Sequence, residues 1–256
     1  MVERVFHHPA RGGLLAVGTE SSANRPLQSM FIAVPRRYDL VNRLFTWGLD
    51  ERWRHKAALE CLSGSPKRLL DLCCGTGDLA LRLAGLADGD ARIAGVDFSL
   101  PMLELARKKA EGLGRQDRVA FVLGDVATLP FPDGHLDCIG TSFAFRNLTY
   151  KNPLALRYLA EVLRVLKPGG RFVIVESSQP QSRLLRKLFH LYLRWYVFRM
   201  GYFLSGNRGA YHYLAESAAR FYSPGELRDL LINAGFSRLS SRRLALGAVA
   251  IHVAAK

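Results

Sequence analysis

Apolar positions recur at helical spacing from Pro35 to Leu62, through Leu40, Val41, Leu44, Phe45, Trp53, Ala57, Ala58 and Cys61, until Gly64-Ser65-Pro66 closes the helix. A regular alternation follows. Short apolar runs at Arg68–Cys73, Ala91–Phe98, Val119–Gly124, Leu136–Phe143 and Arg171–Glu176 predict buried strands. Between them, Asp78–Ala87, Pro101–Gly112 and Pro153–Leu166 carry a helical period. Lys167-Pro168-Gly169-Gly170 reads as the turn into the last of these strands. Past Pro180 lies a long helical region, then a helix capped by Ser223 with Pro224 in its first turn. Ser237–Leu244 and Ala248–Ala255 read as a hairpin turning at Leu246-Gly247. This order predicts an α/β fold: a doubly wound, mostly parallel, seven-stranded sheet with helical insertions at the N-terminus and on the substrate side. Residues 1–28 show no hydrophobic period and read as a mobile tail, leaving 29–256 as a single domain.

Composition narrows the class. The chain has 256 residues, 49% hydrophobic and 23% charged, which excludes a largely disordered or fibrous protein. Cys61, Cys73, Cys74 and Cys138 are too few for a disulfide framework and read as small core residues of a reducing compartment. No secretory leader is legible, and the most apolar segment, Leu184–Leu204, is interrupted by Arg194 and Arg199, so a cytoplasmic protein is expected. The net charge is +14, and it is unevenly placed: residues 1–150 hold 19 Lys and Arg against 17 Asp and Glu, residues 151–256 hold 17 against 5. The cationic C-terminal part calls for an anionic partner: nucleic acid, phosphate or a lipid headgroup plane.

Chemistry concentrates at the strand ends. After the first strand of the alternation, Asp71-Leu72-Cys73-Cys74-Gly75-Thr76-Gly77-Asp78 is a glycine-rich turn leading into a helix. Gly75 and Gly77 let the backbone approach a ligand at the carboxyl edge of the sheet. Twenty residues beyond Gly77, Asp97 ends the second strand beside Phe98, where a carboxylate accepts the ribose hydroxyls of a nucleoside. The third strand ends in Gly124-Asp125-Val126, at the place for an adenine edge. A Rossmann dehydrogenase has this much, but it binds a pyrophosphate and here Ala80 stands at the third glycine position. The acidic residues Asp71 and Asp78 around the turn suit a cationic ligand better, and the set points to S-adenosylmethionine. The plain alternatives are a tight turn at Gly75 and Gly77 and a cap at Asp125.

Four blocks then resemble the ubiquinone/menaquinone biosynthesis C-methyltransferases, the UbiE/MenG family. They are Tyr38 to Arg43 with Gly48 and Trp53-Arg54; Asp71 to Leu79; Ser142-Phe143-Ala144-Phe145-Arg146-Asn147; and Arg164 to Arg171 running on through Glu176 to Pro180. A stretch from Tyr211-His212-Tyr213-Leu214 to Phe221 is similar as well. This chain departs from the family pattern at Ala144-Phe145, Tyr150 and Ser177. The resemblance implies cofactor contacts at Thr76, Asp97, Asp125, Val126 and Ser142. It also implies methyl transfer to a ring carbon of a polyprenylated quinol, either demethylmenaquinol or the benzoquinol of the ubiquinone route.

Such chemistry needs an ionised phenol beside the reacting carbon. Arg146 and Asn147, following the fourth strand of the alternation, are the catalytic candidates: Arg146 to stabilise the quinolate or polarise a water, Asn147 to orient it. The structural alternative is that Arg146 pairs with an acid such as Asp39. His212 titrates in a useful range and is a weaker candidate base. Tyr38, Tyr211 and Tyr213 are candidates to line the ring pocket, against the alternative of plain packing. No metal-ligand spacing occurs, so none is expected to be required.

Between Arg183 and Arg194, the residues Arg183, Arg186, Lys187, His190 and Arg194 fall within about 100° of the helix circumference. The wide apolar arc around them fits an interfacial helix, placing the chain peripherally at an anionic membrane surface, against the alternative of a core-covering helix. Three further readings compete, the closest of them a methyltransferase acting on another lipid or isoprenoid ring. A nucleic-acid methyltransferase would suit the charge, but Thr141-Ser142-Phe143-Ala144-Phe145 lacks the Pro-Pro-aromatic element of base-amine enzymes. A non-catalytic scaffold that binds the cofactor is the third. The sequence leaves homodimerisation open.

Overall fold

The computed structural model describes residues 15–17, 42–205 and 208–256. A single eight-stranded sheet runs through them. In chain order its strands are β1 (Leu15–Val17), β2 (Arg68–Leu72), β3 (Arg92–Asp97), β4 (Val119–Gly124), β5 (Leu136–Ser142), β6 (Leu166–Ser177), β7 (Ser237–Leu244) and β8 (Val249–Ala255). Their spatial order is β1-β4-β3-β2-β5-β6-β8-β7, parallel from β1 to β6 and antiparallel where β8 enters between β6 and β7. The chain winds outward from β2 to β3 and β4, then returns to β2's other side as β5. That reversal opens a crevice at the carboxyl ends of β2 and β5, where doubly wound sheets bind ligands.

The helices are α1 (Leu49–Leu62), α2 (Asp78–Leu86), α3 (Leu100–Gly112), α4 (Phe145–Thr149), α5 (Ala155–Val165), α6 (Arg183–Tyr192), α7 (Phe198–Ser205), α8 (Arg208–Ala219) and α9 (Pro224–Asn233). Because both faces of the sheet are covered, its inner strands read as unbroken apolar runs rather than alternating ones. Successive residues go to opposite sides. Leu69, Ile93, Val173 and Val175 join one core with Ala57, Ala58 and Leu103, while Leu70, Leu72, Ile139, Phe172 and Ile174 join the other with Leu159, Leu227 and Leu231. A third cluster of Phe45, Leu193, Val197, Ala215 and Ala218 stands apart and holds α6 and α8 together.

Several expectations change in detail. The seven expected strands are present as β2 to β8, and Leu15–Val17 adds an eighth at the edge, parallel to β4; the rest of the stretch read as a tail lies outside the described residues. The helix expected from Pro35 to Leu62 is interrupted at Trp47 (φ 55°) and Gly48 (φ 72°), both left-handed, and α1 starts after them. Lys167–Gly170 loops out within β6 instead of preceding it: Leu136 pairs with Leu166, and Cys138 with Arg171. α4 has too few residues for a hydrophobic period and was invisible as a helix. The long helical region after Pro180 carries a π-turn at Leu193–Val197.

Candidate active site

A cavity of about 1240 Å³, its mouth included, lies over the carboxyl ends of β2 to β5. Asp71 begins it. One carboxylate oxygen accepts from the Ala80 N–H at 2.8 Å, tying β2 to the first turn of α2, while the other is buried with no partner among the described residues. Burial pushes the Asp71 pKa up to about 8, and the nearby Asp97 adds to the shift. The chain then turns through Cys73 (φ 55°), Gly75 (φ 53°) and Gly77 (φ 81°). A Cβ on Gly77 would stand 3.0 Å from both Ala106 and Phe121, so only glycine brings α2 this close to β4. Phe143, just after β5, is also left-handed (φ 56°) and lines the cavity. Two of the non-glycine residues with left-handed backbone thus stand at the crevice.

Asp97 sits across from this turn. Its oxygens accept from the Gly75 N–H at 2.8 Å and the Ser99 N–H at 2.9 Å, so the second strand end holds the glycine turn in place. Burial raises its pKa to about 6, the backbone donors pulling the other way. Asp125 Oδ1 accepts from the Ala127 N–H at 2.8 Å: it caps its turn and lines the cavity as well. Thr76, Phe98, Val126 and Ser142, also expected, line the same cavity.

Arg54 is the residue that sequence reasoning passed over. It reaches from α1 into the crevice, donating from Nε to Ser142 Oγ at 3.1 Å and from Nη1 to Asp50 Oδ2 at 2.5 Å. Its guanidinium carbon stands 5.5 Å from the Phe143 ring centroid. Asp78 lies between it and Lys109, 3.6 Å from the first and 2.6 Å from the second, and Lys109 also donates to Thr76 at 2.9 Å. No signal in the sequence links Arg54 to Ser142, which are 88 positions apart. Met102, Leu148 and Tyr158, equally unassigned, supply apolar lining.

Asn147 also lines the cavity. Tyr213, half-buried on α8, donates to its Oδ1 at 3.4 Å. Burial raises the Tyr213 pKa, although Arg146 opposes the shift, so the phenol stays protonated. Arg146 itself does not line the cavity. Its partner is Glu176 on β6, which takes the Arg146 Nη1 at 3.1 Å and the Arg146 backbone N–H at 3.0 Å. Asp39, the acid first considered, lies outside the described residues. Arg146 Nε is buried and has no hydrogen-bond partner among the described residues. His212 is not brought to the site: its side chain is 67% exposed, beside Glu216 and Phe198. Tyr38 and the side chain of Tyr211 lie outside the described residues. Among the described residues, no three His, Cys, Asp or Glu converge as a metal site would require.

The pocket of this cationic chain is acidic, with four aspartates on its walls. An unpartnered buried carboxylate oxygen at Asp71, a strand-end Asp97 and an apolar slot of Phe98, Met102, Val126 and Tyr158 fit the ammonium, ribose and adenine of S-adenosylmethionine. Two solved structures that share this fold are titled S-adenosylmethionine-dependent methyltransferases. One from Aquifex aeolicus superposes with a TM-score of 0.58 at 20% identity, over 85% of this chain and 96% of that one. Another, from Thermotoga maritima and titled a possible histamine N-methyltransferase, gives 0.56 at 22% identity, over 89% and 99%.

The fold is therefore that of the Rossmann-like methyltransferases. Residues 19–256 match the ubiE/COQ5 methyltransferase family, and the chain belongs to it. It is 43% identical to a demethylmenaquinone methyltransferase of Thermus thermophilus, over 88% of this chain and 98% of that protein. Identity to the one from Deinococcus radiodurans is 40%, over 94% and 96%. For a ubiquinone/menaquinone biosynthesis C-methyltransferase of Pseudomonas syringae it is 35%, over 91% and 90%.

The raised pKa values set a pH dependence. Asp97 binds its proton more tightly folded (about 6) than at its ordinary 3.8. Its contribution to stability is therefore complete below the ordinary value and lost as pH rises through about 6. A ligand that needs the ionised carboxylate must displace that proton on binding. Affinity for S-adenosylmethionine should then fall from about pH 7 to about pH 5, approaching tenfold per unit once Asp97 is protonated. Calorimetry in buffers of different ionisation heat should detect the released proton. Constant affinity across that range would contradict the assignment.

Proposed function

We propose that this methyltransferase methylates a ring carbon of a polyprenylated quinol, demethylmenaquinol before the benzoquinol of the ubiquinone route. The observation that carries the reading is Asn147, which shares one cavity with Asp97 and Asp125 and is bonded to Tyr213. The order of acceptors follows the relatives: the two at 43% and 40% identity are named for demethylmenaquinone, the one at 35% for both quinones.

Asp71, Thr76, Asp97, Asp125, Val126 and Ser142 would hold S-adenosylmethionine, which when bound supplies an electrophilic methyl group on a sulfonium. The chain's own part is to aim and ionise the acceptor. A phenol's ring carbon becomes a nucleophile as the neighbouring hydroxyl loses its proton. In this reading the Asn147 amide holds the acceptor's oxygen, and Tyr213, kept protonated, fixes that amide. Arg146 places a fixed positive charge one residue away, behind the cavity wall, where it stabilises the quinolate by its field. Glu176 positions both, through the Arg146 side chain and backbone.

The acceptor's tail keeps it in a bilayer, so the enzyme meets it there as a peripheral protein, with α6 as the contact. No helix among the described residues is long and apolar enough to cross a membrane. The test is turnover of demethylmenaquinol and of the demethylated benzoquinol, with the product read by mass. Arg146→Ala and Asn147→Ala should each lower turnover about 10²–10³-fold with S-adenosylmethionine affinity retained. Normal turnover would remove these residues from catalysis, and lost cofactor affinity would assign them to structure.

A further inference from the structure

α6 has no buried residue, and the third hydrophobic cluster shows why. Phe189, with Leu193 and Val197 of the π-turn, faces α8, whereas the opposite side of the helix carries exposed leucines. Leu184, Leu188 and Leu191 are 66%, 53% and 61% exposed, and Trp195, four residues on, is 59% exposed. At helical spacing the three leucines fall within about 60° of one another, forming one stripe. A second tryptophan stands close by: Trp47, 76% exposed, stacks at 6.2 Å on Tyr196 from the break before α1.

The cations sort themselves around this stripe. Arg186 donates to the Pro180 carbonyl, and His190 bonds Gln179, so both are turned toward the body of the protein. Arg183, Lys187 and Arg194 are exposed, make no ion pair among the described residues, and each immediately precedes a stripe residue. Arg199 lies over the Trp195 ring at 5.4 Å. Leucines more than half exposed, bordered by cations without ion pairs among the described residues and accompanied by two tryptophans, match the layered chemistry of an anionic bilayer surface: acyl chains beneath, phosphates at headgroup level. A protein groove could take the leucines but would not call for a row of cations beside them.

We propose that Leu184, Leu188, Leu191 and Trp195, with Trp47 as a second anchor and Arg183, Lys187 and Arg194 at the headgroups, dock this enzyme on anionic membranes. This rests on the quinol reading and adds the route from bilayer to site. The docking helix shares its core with α8, and α8 carries Tyr213 to Asn147 at the cavity wall. The acceptor's ring therefore has a short path from the docked face into the cavity while its tail stays among the lipids.

The experiment is co-sedimentation of the full chain with vesicles of phosphatidylcholine alone and with added phosphatidylglycerol. Binding should require the anionic lipid, weaken with salt, and blue-shift tryptophan fluorescence. Leu188→Glu with Trp195→Glu, both at exposed positions, should reduce partitioning at least about tenfold. Arg183→Gln should reduce it about fivefold and lessen the salt dependence. Turnover of a short-tailed, soluble quinol by the glutamate variant should match the parent. Equal vesicle binding by the parent and the glutamate variant overturns the proposal, as does absence of binding at low salt. A parent dimer that the glutamate substitutions dissociate would assign the stripe to a second copy and also overturn it. Should the quinol reading fail instead, vesicle binding will persist while no demethylated quinol is turned over.

Discussion

Asp97→Ala should raise the dissociation constant for S-adenosylmethionine by at least about a hundredfold. A hydrogen bond to a charged group is worth roughly 1.5–3 kcal/mol, and a strand-end carboxylate accepting two ribose hydroxyls offers two of them. The substitution removes a second support as well, since Asp97 also holds the Gly75 N–H at 2.8 Å and so sets the glycine turn. Folding should survive. The carboxylate's raised pKa means its charge opposes the fold at neutral pH, so Ala loses two backbone contacts but relieves a buried ion. Asp97→Asn keeps the shape without the charge and should fall between the two. Calorimetric titration beside a melting curve checks this, and an unchanged dissociation constant in a folded variant would refute the ribose assignment.

Glu176→Ala should destabilise the chain by about 3–5 kcal/mol, because the Arg146 cation is then buried without its counter-charge. Glu176 is wholly buried, and its two oxygens accept from the Arg146 backbone and guanidinium and from the Ser177 N–H and hydroxyl. Urea unfolding reads the loss directly. A cycle with Glu176→Leu, Arg146→Met and the pair together should show strong coupling: each single change strands a charge or its partners, whereas the pair removes both. Loss below about 1 kcal/mol for Glu176→Ala would mean that water reaches the pair and that the buried network is not what positions Asn147. The double variant also separates roles, since a stable protein lacking turnover would place Arg146 in the chemistry rather than in the fold.

Much of this was legible in the chain itself. Strand and helix succession, the glycine turn and the carboxylates at the ends of β2, β3 and β4 follow from local rules. A strand buried on both faces must be apolar throughout, a left-handed turn selects glycine, and a strand ends where a polar residue meets the sheet edge. Asp71, Gly75, Thr76, Gly77, Asp97, Phe98, Asp125, Val126 and Ser142 could thus be placed around one ligand before any coordinates, and they line or shape one crevice.

Partner choice over long distance was another matter. That Arg54 serves Ser142, that Glu176 rather than another acid neutralises Arg146, and that His212 faces solvent while Tyr213 reaches Asn147 all depend on how separate elements pack. α6 shows the division most clearly. Its sequence specified a helix with a broad apolar arc and five basic positions, because spacing at 100° per residue is a local property. Only the tertiary structure decided which part of that arc α8 covers and which leucines remain in water, since burial is decided by what packs alongside and the chain's own periodicity does not contain the neighbour.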